Sequence, residues 1–161
     1  MSASSLSQPD FPELDVRVAD EVRRSFERQQ VMSLIRAHMP VVAAGRIEIH
    51  LPHWEGVEQQ HGFVHGGVVG MIADSAAGYA AMTLAPLGAS VLSVEYKVNF
   101  LAPAQGQVLI ARGAVVRPGR SLIVTRAEVF GVQDGKETPC ALMQQTIMVI
   151  QGRPEKQPAS G

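Results

Sequence analysis

The sequence predicts an α+β domain in which one long apolar helix is wrapped by a largely antiparallel sheet. Three features indicate this fold: an amphipathic helical segment, a nearly all-apolar helical stretch, and then four strands with short links. With 161 residues, 46% of them hydrophobic and 18% charged, the chain can form one domain with a sizeable core. We therefore predict a single domain over residues 16–150, with flexible tails at residues 1–15 and 151–161.

Composition excludes several classes of function. The formal net charge is −1 and both signs are mixed along the chain, which argues against a nucleic-acid or anionic-membrane surface. The only transmembrane candidate, Gly66–Pro86, has Asp74 near its middle, where lipid strongly disfavours an acid. The single cysteine, Cys140, fits a reducing compartment, and the polar N-terminus lacks the pattern of a secretory signal. We expect a cytoplasmic protein with no membrane span and a structural Cys140.

The first half of the chain shows helical and then strand patterns. Apolar residues recur at helical spacing from Val16 to Met39, which predicts one amphipathic helix or two, ending before Pro40 and forming an N-terminal extension. Gly45–Leu51 alternates and predicts a strand that Pro52 stops. Residues 53–63 (HWEGVEQQHGF) then form a loop that leads into the central helix.

The second half predicts four strands. The first alternates up to Pro103, with Leu92, Val94, Tyr96, Val98 and Phe100 on one face and Ser93, Glu95, Lys97 and Asn99 on the other. Val108–Arg117 and Ser121–Val132 follow, joined by a predicted type II turn at Pro118-Gly119. Asp134-Gly135 marks another turn before a last strand at Cys140–Ile150.

The central stretch, Gln59–Ala81, is a short polar approach and a His-Gly-Gly junction, followed by a run that is apolar almost all round the helical wheel, which is typical of a buried helix. Its only acid, Asp74, is costly there unless it is paired or used. Gly66 and Gly67 open the helix, where free backbone N–H groups can polarise a carbonyl. Two structural alternatives stay open: the glycines permit tight helix–sheet packing, and Asp74 pairs with a buried donor.

Asp74 lies about 12 Å along the helix axis from Gly66 and is rotated by about 80° from it. A base at that distance cannot easily act on a carbonyl held at Gly66 of the same chain. Two antiparallel copies of the helix across a two-fold axis would solve this problem and give two equal sites per dimer.

The sequence contains no complete motif for metal binding, nucleophilic catalysis or nucleotide binding. His61 and His65 have a spacing that suits a metal on a helix, but neighbouring glycines indicate a loop and no third ligand stands out. We therefore predict no metal. The chain has no G-x-S-x-G nucleophile motif, no G-x-G-x-x-G motif and no P-loop.

Several ordered motifs resemble one family. They are Gln59, HGFVHGG at residues 61–67, Asp74, SVEYKVNFLAPA at residues 93–104 and VRPGRSL at residues 116–122. Over about residues 46–150 the chain resembles the hotdog-fold acyl-CoA thioesterases of the PaaI-like branch. The resemblance implies a hotdog fold, in which a five- to six-stranded antiparallel sheet wraps the long helix. It also implies a homodimer with shared active sites, usually paired into a homotetramer.

The resemblance also implies roles for matching residues. Gln59 and the Gly66 N–H would bind the thioester oxygen with His65 beside them, and Asp74 of the partner subunit would act as base or nucleophile. The coenzyme A tail would be bound by the turn residues Arg117, Gly119, Arg120 and Ser121. The two arginines could equally be solvated turn residues.

Two positions depart from the family pattern. Gly78 stands where many relatives carry Ser or Thr one turn beyond the acid. Ser93 fits the alternative position for that hydroxyl, yet strict alternation puts it on the polar face of its strand.

The expected function is hydrolysis of an acyl-CoA or aroyl-CoA, with no cofactor because coenzyme A is part of the substrate. The alternative is a non-catalytic acyl-CoA-binding protein, which would need neither an acid at position 74 nor an amide at position 59. A hotdog dehydratase would need a differently spaced His–acid pair. Met71, Tyr79 and Met82 could line an aliphatic or an aromatic acyl pocket, so the acyl group stays open.

Overall fold

The computed structural model describes residues 10–152, so most of both predicted tails lies outside the described residues. The helices are α1 (Val16–Glu27), α2 (Gln30–Leu34) and α3 (Gly66–Met82), with a 3-10 turn at Glu55–Val57. The strands are β1 (His38–Ala43), β2 (Arg46–Pro52), β3 (Ser90–Phe100), β4 (Val108–Arg117), β5 (Leu122–Gln133) and β6 (Lys136–Ile150).

The six strands form one sheet in the order β1-β2-β4-β5-β6-β3, and every neighbouring pair is antiparallel. Helix α3 packs across one face of this sheet and contacts β2 to β6. The core lies between α3 and the sheet, and α1 and α2 extend it with Val22, Phe26 and Met32. This architecture confirms the predicted α+β fold with a wrapped helix. Within residues 10–152, no helix is long and apolar enough to cross a membrane.

Small residues bring α3 unusually close to the middle of the sheet. Ala73, Ala76 and Ala77 are fully buried. A Cβ atom on Gly113 of β4 would lie 2.2 Å from the backbone carbonyl of Ala76. Glycine is therefore required at position 113 because the two backbones touch there.

We expect Gly113→Ala to lower the free energy of unfolding by about 1–3 kcal/mol, since the added methyl group overpacks the helix–sheet contact. Gly78→Ala is the matched control: its Cβ would meet only the Ile147 Cδ1 atom, at 4.0 Å. Removing a helical glycine should raise stability by up to about 1 kcal/mol. Urea unfolding of both variants measures the difference. Equal stabilities would contradict the close contact.

The N-terminal prediction needs one correction. The helical pattern over Val16–Met39 forms the two short helices α1 and α2, but β1 begins at His38, within the range predicted to be helical. Arg36 has a φ of 64°, which turns the chain out of the helix. Pro40 lies inside β1, and it is tolerated there because β1 is an edge strand.

The predictions for the two turns between the later strands have different outcomes. Asp134 and Gly135 have φ values of 51° and 79°, as a two-residue hairpin turn requires, so that turn is confirmed. The prediction of a type II turn at Pro118-Gly119 is wrong, because Gly119 lacks the required positive φ. A Cβ on Gly119 would instead lie 2.1 Å from the Leu122 carbonyl oxygen, so close approach explains this glycine. Strand β6 also begins earlier than predicted.

Candidate active site

Asp74 lies midway along α3, and two side chains from the neighbouring strands hold its carboxylate. Ser93 Oγ donates a hydrogen bond to Asp74 Oδ1 over 2.6 Å. Gln145 Nε2 donates to the same Oδ1 atom and, over 2.8 Å, to Ser93 Oγ. Among the described residues, no group donates to Oδ2. The carboxylate is therefore fixed through one oxygen, and the other is available to a substrate or a water molecule.

A β-bulge brings Ser93 to Asp74. Ser93 pairs with Ile147 and Glu95 pairs with Thr146, so β3 contains one extra residue, Val94, at this point. The extra residue reverses the alternation and turns Ser93 towards α3. The expectation that Ser93 faces the polar side is wrong for this reason: periodicity alone does not reveal a bulge.

Sequence reasoning missed Gln145. Its side chain is fully buried, and it lies opposite Tyr96 in the register of β3 and β6. The sequence contained an indication of this role, because Gln145 interrupts the row of apolar residues on the buried face of β6, between Met143 and Ile147. A buried amide in such a file is kept where it has hydrogen-bond partners.

We expect Gln145→Met to lower kcat by about 10-fold to 100-fold, because Asp74 loses one of two charge-assisted hydrogen bonds. The loss is limited because Ser93 still donates to Oδ1. Gln144→Met is the matched control, since Gln144 is exposed on the opposite face of β6. Steady-state kinetics on a thioester decides the outcome, and equal kcat values for the two variants would remove Gln145 from the site.

The N-terminal end of α3 presents hydrogen-bond donors. His65 is the N-cap residue, and its Nδ1 atom accepts a hydrogen bond from the Gly67 N–H over 2.9 Å. A neutral His65 therefore carries its proton on Nε2. In the part of the chain that the structure describes, the Gly66 N–H has no partner, as expected for the first turn of a helix. Gln59 Oε1 accepts from the His61 N–H over 2.6 Å, which leaves the Gln59 amide NH2 able to donate.

The start of α3 and its middle open into different cavities. Asp74 and Ser93 line a cavity of about 440 Å³, whereas Gln59 and Gly66 line a second cavity of about 350 Å³. Among the described residues, none lines both cavities. A single chain thus separates the acid from the free N–H group, as the spacing along α3 indicates.

The four residues expected to bind coenzyme A lie elsewhere. Arg117 ends β4, and Gly119, Arg120 and Ser121 lie in the connection to β5. All four are exposed, and none of them lines either cavity. The structure of one chain therefore does not bring them to Asp74 or Gly66, and their role stays a prediction.

Two further chemistries can be assessed. Among residues 10–152, no group of three or more His, Cys, Asp or Glu side chains is arranged to hold a metal ion. Cys140 is buried and its thiol donates to the Val129 carbonyl oxygen over 3.3 Å. Burial raises the pKa of the Cys140 thiol to about 11, so it is not a thiolate at neutral pH.

Comparisons with known proteins agree with this geometry. The family model of the thioesterase superfamily matches residues 61–138. A thioesterase family protein from Silicibacter pomeroyi is 44% identical, with a TM-score of 0.82 over 84% of this chain and 99% of that one. A Bacillus halodurans protein, solved with CoA, is 25% identical with a TM-score of 0.67 over 84% of this chain and 87% of its own. The E. coli PaaI protein shares the fold at 19% identity, with a TM-score of 0.76 over 86% of this chain and 97% of that one.

The six-stranded sheet around α3, with an acid in the middle of that helix, defines a hotdog thioesterase. The chain belongs to the thioesterase superfamily, which confirms the resemblance drawn from its motifs. Its general activity is accordingly that of a thioester hydrolase.

Proposed function

We propose that this protein hydrolyses the thioester of an acyl-CoA or aroyl-CoA, at active sites that two copies of the chain share. The observation that supports this most is the state of Asp74: two donors hold Oδ1, Oδ2 is left for chemistry, and the cavity beside it lacks the Gly66 donor. A second chain supplies the missing half.

Strand β3 offers the surface for that second chain. It is an edge strand of eleven residues, and its large apolar side chains are exposed, with Tyr96 at 47% and Phe100 at 56%. A long apolar edge with unpaired backbone groups readily pairs with another chain. We therefore place the dimer interface along β3.

Pairing along β3 would bring the start of α3 in one chain beside the middle of α3 in the other. The helix runs antiparallel to β3: a Cβ on Gly66 would lie 3.2 Å from the Phe100 ring, and midway along the helix Asp74 is hydrogen-bonded to Ser93. If two copies of β3 pair antiparallel across a two-fold axis, Gly66 of one chain comes beside Asp74 of the other. The dimer then has two equivalent sites, each with one acid and one carbonyl-binding end.

A dimer of dimers extends the same proposal. Leu92, Met148 and Leu122 are neighbours in the register of β3, β6 and β5, and all three are exposed on the sheet face opposite α3. An exposed apolar cluster of this kind supports a second, sheet-to-sheet contact between dimers.

The mechanism follows from the two half-sites. The thioester oxygen accepts hydrogen bonds from the Gly66 N–H and the Gln59 amide, which stabilise negative charge as it develops there. Asp74 Oδ2 takes a proton from water while the water oxygen adds to the carbonyl carbon. The tetrahedral intermediate then collapses, the C–S bond breaks, and coenzyme A leaves as a thiolate that takes the proton back from Asp74, which regenerates the carboxylate. The short arm of Asp favours this activation of water over direct attack by the carboxylate.

Coenzyme A is the thiol component that we favour. The Bacillus halodurans relative was solved with CoA, and the guanidinium groups of Arg117 and Arg120 suit the phosphates of the CoA tail. CoA esters occur in the cytoplasm, and a chain with a single cysteine suits that reducing compartment.

A panel of straight-chain and aromatic acyl-CoAs, assayed with a thiol-detecting reagent, tests the proposal. We expect release of free coenzyme A from at least one member, and none from the same substrate with Asp74→Asn protein. Tight binding of acyl-CoA without thiol release would instead indicate a binding protein and would refute the proposed hydrolysis.

A further inference from the structure

His53 lies between two loops, and each nitrogen of its ring lies near an oxygen atom. Its Nδ1 atom donates a hydrogen bond to the Gly106 carbonyl oxygen over 2.8 Å. Its Nε2 atom is buried and lies 3.1 Å from Glu58 Oε1, within ion-pair distance. The His53 side chain is 17% exposed and that of Glu58 is 32% exposed. The imidazole ring therefore connects the loop before α3 to the loop between β3 and β4.

The contact between His53 and Glu58 is one of charge. It lacks the direction of a hydrogen bond, and no other described residue bonds to Nε2. A neutral ring that donates from Nδ1 has a lone pair on Nε2, which leaves a buried acceptor beside a carboxylate. A protonated ring can donate to the Gly106 carbonyl and pair with Glu58 at the same time. Among residues 10–152, no other charged side chain lies within ion-pair distance of His53.

The two loops that His53 connects form walls of the cavity at the start of α3. One wall contains Gln59, and the other consists of residues 100–104. Glu58 immediately precedes Gln59, and Gly106 lies two residues beyond the second wall. His53 itself does not line this cavity. Any effect that it has on the reaction therefore passes through the residues that do.

Gln59 begins a tight turn, and the Glu58 side chain lies alongside that turn. The Gln59 N–H donates to the Phe63 carbonyl oxygen over 2.8 Å, and the Gly62 N–H donates to the Gln59 carbonyl oxygen over 3.0 Å. Glu58 pairs with Val64 in an isolated β-bridge. A Cβ on Gly62 would lie 4.0 Å from Glu58 Oε2. A contact that holds the Glu58 carboxylate in place therefore also holds the turn that carries Gln59.

We propose that His53 is a positioning residue for the carbonyl-binding half of the active site, and that its contact with Glu58 holds the Gln59 amide against the thioester oxygen. This role rests on the proposed function, in which Gln59 donates to that oxygen as negative charge develops. Displacing such a donor by about 1 Å can cost up to about 100-fold in rate. His53, Glu58 and Gln59 all precede residues 61–138, the segment that the family model matches.

Two substitutions remove the contact from opposite sides. His53→Asn can keep a donor near the position of Nδ1 but has no atom at Nε2, and Glu58→Gln keeps the shape of the carboxylate without its charge. We expect each to lower kcat by about 10-fold and to change KM by less than about threefold, because Gln59 acts chiefly on the transition state. The double variant should lie within about twofold of either single variant, since all three lose one contact. Steady-state kinetics on a thioester that the wild type hydrolyses measures these values.

His50→Asn is the matched control. His50 Nε2 lies 3.3 Å from Glu48 Oε2, a contact of the same kind. It lies on the face of β2 that points away from the core, because its neighbours Ile49 and Leu51 are fully buried. Partly exposed ion pairs contribute little to stability, so both histidine variants should have urea midpoints close to that of the wild type. Only the variant at His53 should lower kcat.

A Gln59→Leu background separates positioning from a purely structural role. If His53 acts through Gln59, His53→Asn should change kcat by less than about twofold once the amide is gone. Three results would overturn the role: a kcat for His53→Asn within twofold of the wild type, an equal loss for His50→Asn, or a 10-fold loss that persists beside Gln59→Leu. If the wild type releases coenzyme A from no thioester, the proposed function fails and this role fails with it.

Discussion

Asp74→Asn lowers kcat by about 1,000-fold and leaves the fold intact, if Asp74 is the general base. The amide has the same shape as the carboxylate, and its oxygen can still accept from Ser93 and Gln145 at the position of Oδ1. An NH2 group then replaces Oδ2, where it donates hydrogen bonds and cannot take a proton from water. Only the chemical step is removed.

Two controls belong with this variant. Circular dichroism and urea unfolding should match the wild type, because no buried group loses a partner. Asp74→Glu keeps a carboxylate on a longer arm and should retain part of the activity. A kcat within threefold of the wild type for Asp74→Asn would exclude Asp74 as base and as nucleophile.

Gly66→Pro should lower kcat by about 100-fold to 1,000-fold, because it removes a hydrogen-bond donor to the developing oxyanion. The substitution suits the fold: Gly66 is the first residue of α3, a position that proline often occupies in helices. His65 has a ψ of 135°, which is compatible with a following proline.

Gly66→Ala is the matched control for the proline. It adds the same Cβ atom beside the Phe100 ring, which is exposed and can move, but it keeps the N–H group. We expect Gly66→Ala to retain at least about a tenth of the activity, since only packing changes. If the two variants lost activity equally, the contact with Phe100 and not the N–H group would be responsible.

Much of the fold follows from short-range patterns. Helix α3 is apolar almost all round, β2 and β5 alternate, and proline and glycine residues bound β4, so local patterns and turn residues were enough to predict these elements. Strand β1 was missed because an apolar pattern of helical period continues towards it and a proline lies inside it. Its place at the sheet edge, which a sequence does not state, makes that proline acceptable.

The site, like the fold, combines features that local sequence patterns predict with features that depend on long-range contacts. The acid at position 74 and the glycines at the start of α3 are unusual in any apolar helix, so they could be singled out. The partners of Asp74 could not, because Ser93 reaches it through a bulge and Gln145 through the pairing of β3 with β6. Both depend on contacts between residues that are distant in sequence. An amide among apolar neighbours was the only local sign of Gln145.

Subunit mixing tests the shared site most directly. In a dimer of one Asp74→Asn chain and one Gly66→Pro chain, one site keeps both an intact Asp74 and an intact Gly66, while the other site loses both. Equal amounts, fully exchanged by unfolding and refolding together, should recover about a quarter of wild-type activity, because half of the dimers are mixed and each has one working site. Gln59→Leu replaces Gly66→Pro if the proline variant does not assemble. Activity that stays at the mean of the two inactive parents would contradict a site shared between chains.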